Sequence, residues 1–249
     1  MDFDQIRIYI FSALAALIAL TVHEFCHGYA AYKMGDDTAK NFGRLSLNPL
    51  KHLDPVGTVC MVLFHIGWAK PVPVNPRNFK NPKKGFAVTA LAGPLVNIVL
   101  GFFSAGLFLL LFAIFRDIPF TEKDFTFTLA QNTLTFTSVF FSVNIGLGIF
   151  NLLPIPPFDG SRILHAVLPP KIYFGIMKYE RKIYLGVLAW LFLGDIVAGT
   201  LRMLPLVATT PWLYSLVGIF SLGDMLSAAI SFITGLILDL WQLIPYLKL

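Results

Sequence analysis

The chain has 249 residues, of which 56% are hydrophobic and 13% are charged, and its mean hydropathy is +0.72. Soluble domains carry about 25% charged residues, so this composition excludes an ordinary soluble domain and predicts an all-α polytopic membrane protein. The formal net charge of +5 does not indicate a nucleic-acid partner, because the basic residues cluster in a few loops. Two cysteines, Cys26 and Cys60, are too few for a disulfide framework.

The first predicted helix covers residues 6–32 and carries no charge between residues 8 and 22. It then presents His23, Glu24 and His27, and ionisable groups at membrane depth indicate a functional site. Positions i and i+4 lie on one face of a helix, so both imidazoles can reach one metal ion. Glu24 points about 100° away from His23 and can act on a water molecule without being a ligand. The alternative is that the histidines are packing residues that hydrogen-bond across the helix bundle.

The segment after this helix is predicted to be an insertion of irregular structure before the next apolar helix. The alternation of polar and apolar residues at 44–48 predicts a short strand or an ordinary surface loop. The apolar stretch at 56–68 is too short for a comfortable span and predicts a re-entrant or interfacial segment. Prolines between residues 69 and 82 restrict any strand there to a sheet edge. We therefore expect a membrane re-entrant insertion after the first helix, either β-hairpin-like or a short helix.

Further apolar stretches bring the expected total to about five to six transmembrane helices. They cover residues 86–115, 125–152, 183–204 and 211–239. The second must end near residue 152, because prolines follow at positions 154, 156 and 157. The last two contain Asp195, Arg202 and Asp224, which pair with one another or mark a water-facing groove.

Lysine and arginine are distributed unequally between the two predicted sides of the membrane. If residues 56–68 do not cross, one side holds nine of them in residues 33–85, five in residues 160–182, and Lys248, against four on the other side. The positive-inside rule then places the N-terminus outside and the C-terminus in the cytoplasm.

A catalytic zinc needs a third protein ligand and an open position for water. Asp159 is expected at the cytoplasmic end of the helix at 125–152, which is the depth expected for His27, and no other carboxylate lies between residues 125 and 179. The alternative role of Asp159 is a helix N-cap at its Asp-Gly-Ser turn. Cys26 is disfavoured as a ligand, because sharing a tetrahedral site with its neighbour His27 would strain a regular helix. The remaining histidines are not expected to be ligands: His52, His65 and His165.

Three motifs in this sequence resemble those of the site-2 protease family of intramembrane zinc metalloproteases. The first is the His-Glu-x-x-His run of residues 23–27, and the second is Ala-Gly-Pro-Leu-Val-Asn at residues 92–97. The third is Asn-Leu-Leu-Pro-Ile-Pro-Pro-Phe-Asp-Gly at residues 151–160. Within the family the chain is similar to the compact branch that has neither a PDZ nor a CBS domain.

The resemblance implies one zinc ion per chain, bound by His23, His27 and Asp159, with Glu24 as the general base. It also implies a role for Asn151 in binding the substrate or the oxyanion. The alternative is that Asn151 caps the broken end of its helix. The implied reaction is hydrolysis of peptide bonds within or near transmembrane segments of membrane proteins, as in regulated intramembrane proteolysis.

The implied partners are a transmembrane protein or peptide substrate and the lipid bilayer. We expect residues 1–249 to form a single transmembrane protease domain, with its core at 6–170 and additional C-terminal helices at 183–239. We expect the protein in a bacterial cell membrane, with the active site toward the cytoplasmic side. Asn97 is expected to be structural and to hydrogen-bond across helices.

Two other functions would use the same residues. A metal transporter predicts further sites along a path, or inverted repeats, and the sequence shows neither. An inactive adaptor that binds transmembrane helices predicts the loss of Glu24 or of a ligand, and none is lost.

Overall fold

The structure is a computed structural model, and the part of the chain that it describes is built from helices. That part comprises residues 3–64, 69–116, 118, 125–218 and 221–248. The helices are α1 (Phe3–Lys33), α2 (Thr38–Asn41), α3 (Pro55–Phe64), α4 (Pro82–Phe115), α5 (Phe125–Asn151), α6 (Asp159–Val167), α7 (Pro170–Met177), α8 (Glu180–Arg202), α9 (Pro205–Ala208), α10 (Pro211–Val217) and α11 (Leu222–Trp241). Among the described residues, α1, α4, α5, α8 and α11 are long and apolar enough to cross a membrane. The predicted all-α polytopic class is therefore confirmed.

Helices α1, α4 and α5 form the core, and small residues let them approach one another closely. Ala15 and Ala19 of α1 and Ala105 of α4 are fully buried. A Cβ atom on Gly101 of α4 would lie 2.5 Å from Cδ1 of Ile145 in α5, so a larger residue would push these helices apart. Close backbone approach stabilises helix pairs in lipid, where no hydrophobic driving force acts between them.

The chain leaves α5 at Asn151 and enters α6 at Asp159, as the prolines between them predict. Phe158 occupies the N-cap position of α6, so Asp159 is the first residue of the helix and not its cap. A Cβ atom on Gly160 would clash with the backbone carbonyl oxygen of Leu152, so this turn requires glycine. The tight turn brings the carboxylate of Asp159 back toward the core helices.

The region between α1 and α4 contains no strand among its described residues. The strand predicted at 44–48 is instead an irregular turn, in which the Asn48 side chain accepts a backbone hydrogen bond at 3.0 Å. α3 is about 15 Å long and cannot cross a bilayer core of about 30 Å. An isolated antiparallel bridge joins Leu53 to Ala69. Residues 65–68 lie outside the described residues, so the re-entrant insertion stays a prediction.

The C-terminal helix α11 runs in the same direction as α4. Its residues 233–237 share a groove with residues 98–103 of α4, and Trp241 packs over the following turn of α4. Beyond α11, the carbonyl oxygen of Lys248 accepts a hydrogen bond from Arg116 at 3.1 Å. The C-terminal end therefore lies where α4 ends.

The same end of the bundle holds the start of α1, because Arg7 donates a hydrogen bond to Gln131 in the second turn of α5 at 2.8 Å. The prediction that the N-terminus and the C-terminus lie on opposite sides is therefore wrong. It assumed that both of the last two long helices cross in turn. Two successive crossings would make α11 antiparallel to α4, whereas the two helices are parallel. The end of α8 adjoins the start of α11, where Arg202 forms a 2.7 Å ion pair with Asp224.

Cysteine labelling tests this placement of the C-terminus. In a background with Cys26→Ala and Cys60→Ala, we expect Lys248→Cys and Ile118→Cys to react with a membrane-impermeant thiol reagent from the same side. Lys84→Cys, at the start of α4, should react from the opposite side and serves as the control. Labelling of Lys248→Cys together with Lys84→Cys would contradict the contact between Arg116 and the C-terminal residues.

Candidate metal centre

The predicted ligands come together between α1 and the start of α6. The Nε2 atoms of His23 and His27 lie 2.9 Å apart, and each lies 3.1 Å from Oδ2 of Asp159. Both histidines are buried, with exposed fractions of 4% and 8%. Within the described chain, these residues form a group whose donor atoms could hold one metal ion.

The outer nitrogen of each imidazole is held by an oxygen atom on α4. Nδ1 of His23 lies 2.6 Å from Oδ1 of Asn97, and Nδ1 of His27 lies 2.7 Å from the backbone carbonyl oxygen of Thr89. A carbonyl oxygen only accepts hydrogen bonds, so Nδ1 of His27 carries a hydrogen, and in the neutral ring Nε2 then keeps its lone pair. The protein therefore selects the tautomer that a metal ion requires.

The orientation of Asn97 is fixed by its own neighbours. Its Nδ2 donates to Oδ1 of Asn144 at 2.9 Å and to the carbonyl oxygen of Ala19 at 3.3 Å. The amide of Asn144 in turn donates to the carbonyl of Phe140. Asn97 thus joins the helices, as the sequence predicts, and its remaining oxygen also orients His23. The carbonyl of Thr89 has no side-chain signal, so sequence reasoning missed it.

Gly93 explains why α4 can lie against the two imidazoles. A Cβ atom at this position would lie 2.6 Å from Cε1 of His27 and 2.7 Å from Cε1 of His23. Asn97 follows Gly93 by one helical turn and lies on the same face. The spacing of the Gly-Pro-x-x-Asn element therefore places Gly93, which has no side chain, next to Asn97, which supplies a hydrogen-bond acceptor, on the face of α4 that meets the site.

Glu24 faces a different partner from its neighbour His23. Its Oε2 accepts a hydrogen bond from the backbone N–H of Val72 at 2.8 Å. Val72 belongs to a non-helical stretch with two prolines, residues 69–75, which we call the proline segment. Cys26 is half-buried and is not part of the metal-ligating group found among the described residues, which agrees with the preference for Asp159.

A cavity of about 800 Å³ joins these groups, and Glu24 and Asn151 line it together with the three candidate ligands. The remaining wall is largely apolar and includes residues of α1, α5 and α8: Leu20, Leu147, Phe150, Tyr184, Leu188 and Leu191. The Asn151 side chain donates to the carbonyl of Leu147 at 3.0 Å, one turn back in its own helix. This contact uses one of its two N–H groups and leaves the other for a second acceptor.

Among the described residues, the other polar residues that the sequence singles out in the loops and in the last helices do not line this cavity. His52 is buried, and its Nε2 lies 2.6 Å from the carbonyl oxygen of Ser46, so it packs within the loop and is not part of the metal-ligating group. His65 and the side chain of His165 lie outside the described parts. Asp195 accepts a hydrogen bond from Ser221 at the start of α11, close to the pair formed by Arg202 and Asp224.

Comparison with known proteins gives one family and several relatives. Residues 11–191 match Peptidase family M50. YwhC of Bacillus subtilis (strain 168) is 42% identical over 159 residues, which are 64% of this chain and 69% of that protein. Zinc metalloprotease MJ0392 of Methanocaldococcus jannaschii is 30% identical over 161 residues, 65% of this chain and 34% of that protein. Rip2 of Mycolicibacterium smegmatis is 25% identical over 173 residues, 68% of this chain and 61% of that protein.

All three relatives carry the words zinc metalloprotease in their names. The chain spans less than two thirds of the length of the second and third of them. No solved structure gives a significant match to this chain.

The donor set fits zinc. Zinc takes imidazole nitrogen and carboxylate oxygen at about 2.0–2.2 Å in a tetrahedron, which places ligand atoms about 3.4 Å apart. The three donor atoms are 2.9–3.1 Å from one another, so shifts of a few tenths of an ångström suffice. Three protein ligands also leave the fourth position that a catalytic site keeps open.

Replacing Gly93 tests whether close approach of α4 shapes the site. We expect Gly93→Ala to lose most of its bound zinc, because the added methyl group would occupy the space of both imidazoles. Gly146→Ala is the matched control, since its Cβ would meet only Cδ1 of Ile230, at 3.6 Å. Zinc per chain is measured by elemental analysis of purified protein. Equal zinc content in the two variants would refute the argument.

Replacing Asn97 tests the outer hydrogen bond of His23. Asn97→Leu keeps a similar volume but removes the acceptor, and loss of such a partner typically weakens metal binding about 10–100-fold. Competition with a zinc chelator measures the change. Asn144→Leu is the comparison, because Asn144 hydrogen-bonds to Asn97 and to neither histidine, and its effect should be smaller. A zinc affinity of Asn97→Leu equal to that of the unmodified protein would count against this role.

Proposed function

The chain belongs to Peptidase family M50, and from that premise we propose that it is an intramembrane zinc endopeptidase. The observation that carries the proposal is one cavity that joins three convergent metal-ligating atoms, the carboxylate of Glu24 and an apolar wall. A solvated peptide has no need of such a wall, whereas a transmembrane segment does. The proposed substrates are membrane proteins, cleaved within or near their transmembrane segments, as in regulated intramembrane proteolysis.

The position of the site along α1 supports cleavage inside the bilayer. His23 lies about 30 Å along the helix axis from Phe3 and about 15 Å from Lys33. In the proposed arrangement the centre lies within the apolar thickness, nearer to the basic end of the helix. A peptide bond must enter the membrane-spanning part of the protein to reach it.

Each polar residue then has a distinct task. His23, His27 and Asp159 would hold the zinc ion, which would supply Lewis acidity toward the scissile carbonyl and the attacking water. Glu24 accepts a proton from that water and delivers it to the nitrogen of the leaving amine. The free N–H of Asn151 binds a substrate carbonyl or the developing oxyanion.

The proposed arrangement in the membrane follows the charge distribution. The N-terminus is outside, and the site opens toward the cytoplasmic side, where the basic region 33–85 lies. The membrane is the cell membrane of a bacterium. The protease domain is a single unit with one zinc ion, whose core comprises residues 6–170 and which carries additional helices at 183–239.

Two variants separate metal binding from chemistry. Glu24→Gln should keep its zinc and lose cleavage of a reporter transmembrane peptide, because the base is removed while the ligands remain; loss of a general base costs about 10²–10⁴-fold. Asp159→Ala should lose both zinc and cleavage. Near-normal turnover by Glu24→Gln, or full zinc content in Asp159→Ala, would overturn the corresponding assignment.

A further inference from the structure

We propose that the proline segment, residues 69–75, is a positioning element for Glu24, and that Asp36 and Arg44 are positioning residues that hold this segment in place. The inference rests on the proposed role of Glu24 as the general base. Its first observation is the 2.8 Å hydrogen bond that the Val72 backbone N–H donates to Oε2 of Glu24. That bond joins the carboxylate to a backbone atom outside its own helix.

The local sequence leaves few donors in the segment, and one of them meets Glu24. Pro71 and Pro73 have no backbone N–H, so Val72 lies between two positions that cannot donate. Val72 is 7% exposed, and its Cγ1 would lie 3.1 Å from a Cβ atom on Gly28. Gly28 follows Glu24 by one turn, so α1 carries no side chain at the place where the segment packs against it.

The far end of the segment is held by Asp36, which follows α1 by three residues. The carboxylate is fully buried and accepts hydrogen bonds from the Asn75 N–H at 2.7 Å and from Nδ2 of Asn78 at 2.7 Å. Burial alone would raise the pKa of Asp36, but hydrogen bonds from Thr38, Asn75 and Asn78 outweigh it and hold the pKa below its ordinary value. The charged form is thus the one that holds the segment.

The near end is held by Arg44. Its Nη2 donates to the carbonyl oxygen of Lys70 at 2.6 Å and to that of Pro71 at 3.3 Å. The N–H of Lys70 donates to the carbonyl oxygen of His52 at 2.8 Å. Val72 is therefore fixed from both sides, and its N–H has little freedom to move away from Glu24.

The consequence for catalysis is that the Glu24 carboxylate has a fixed orientation. A carboxylate that bonds Val72 through one oxygen has its second oxygen, Oε1, held in a defined direction. Misplacing a catalytic group by about 1 Å can cost about 10²-fold in rate. A change that frees the carboxylate but leaves the cavity wall intact should therefore lower kcat more than it raises KM.

Two proline substitutions form a matched pair for the test. Val72 and Val74 both line the cavity, so a proline at either position changes its wall to a similar extent. Val72→Pro also removes the donor to Glu24, whereas Val74→Pro leaves that bond in place. With the reporter transmembrane peptide, we expect kcat of Val72→Pro to be at least tenfold below that of Val74→Pro, at equal zinc content. Equal kcat values, or loss of zinc in Val72→Pro, would overturn the proposal.

The anchoring residues are tested by loss and rescue. Arg44→Met removes both hydrogen bonds at similar side-chain length and should lower kcat. Arg44→Lys can still donate to one carbonyl and should recover part of the kcat. Asp36→Asn should resemble Arg44→Met, because one of its acceptor oxygens becomes a donor. Failure of Arg44→Lys to exceed Arg44→Met would show that Arg44 does not act through its donors.

Amide hydrogen exchange provides a readout that needs no turnover. Between Lys70 and Val74, amide hydrogens occur only at residues 70, 72 and 74, so the segment is simple to read. In Glu24→Ala the Val72 amide should exchange at least tenfold faster, while the Lys70 amide, bonded to His52, should be unchanged. Unchanged exchange at Val72 would overturn the proposal.

The two proposals can fail separately. If Glu24→Gln keeps full cleavage, Glu24 is not the general base. If Glu24→Gln is inactive while Val72→Pro keeps its kcat, Glu24 remains the base and only the positioning role of the proline segment is refuted.

Discussion

The placement of two buried histidines and a partly buried carboxylate inside an apolar helix bundle is the constraint on which the rest of the structure depends. Such groups are costly at membrane depth unless they are paired with each other, with a metal or with fixed dipoles. His23, His27 and Asp159 meet each other on the inside, and oxygen atoms of α4 meet the imidazoles on the outside. The ring nitrogens of both histidines and Oδ2 of Asp159 therefore have polar partners within the protein, which the lipid bilayer could not provide.

The backbone near the centre follows from that requirement. Oxygen atoms on α4 can reach the imidazoles only if α4 lies directly against them, and Gly93 removes the side chain that would prevent it. The carboxylate can return to the same depth only if α5 ends early and the chain turns sharply, and the prolines together with Gly160 achieve this. The glycines and prolines in these motifs therefore matter as much as the metal ligands, because they let the backbone come close to the site.

The sequence predicts the parts that depend on side chains with rare chemistry. His23 and His27 have helical spacing, and Asp159 is isolated in an uncharged stretch. These two features are enough to predict that the three residues meet at one site. The acceptor for His27 is a main-chain carbonyl, and a carbonyl is present at every residue, so nothing in the sequence singles out Thr89. The bond from Val72 to Glu24 was missed for the same reason.

The orientation of the last helices shows a different limit. Charge counting assigns sides to loops, but it presumes that each apolar stretch crosses once and in turn. The packing of Trp241 on α4 and the hydrogen bond from Arg116 to the carbonyl oxygen of Lys248 are contacts between distant parts of the chain, and a single lysine near the end carries little weight against them. Residues 44–48 likewise alternate as a strand would, yet they find no partner strand in the described chain and remain a turn.

The alternation of proline and valine in residues 71–74 also fixes the alignment of this segment on α1. A shift of the segment by one residue in either direction would bring a proline nitrogen, which bears no hydrogen, to the carboxylate of Glu24. The shortest slip that restores a donor is two residues, and it would pull Asn75 away from Asp36 and Lys70 away from His52. The prolines therefore make this segment sensitive to length. A deletion or insertion of one residue, which most loops tolerate, would cost it either the hydrogen bond to Glu24 or the contacts at its two ends.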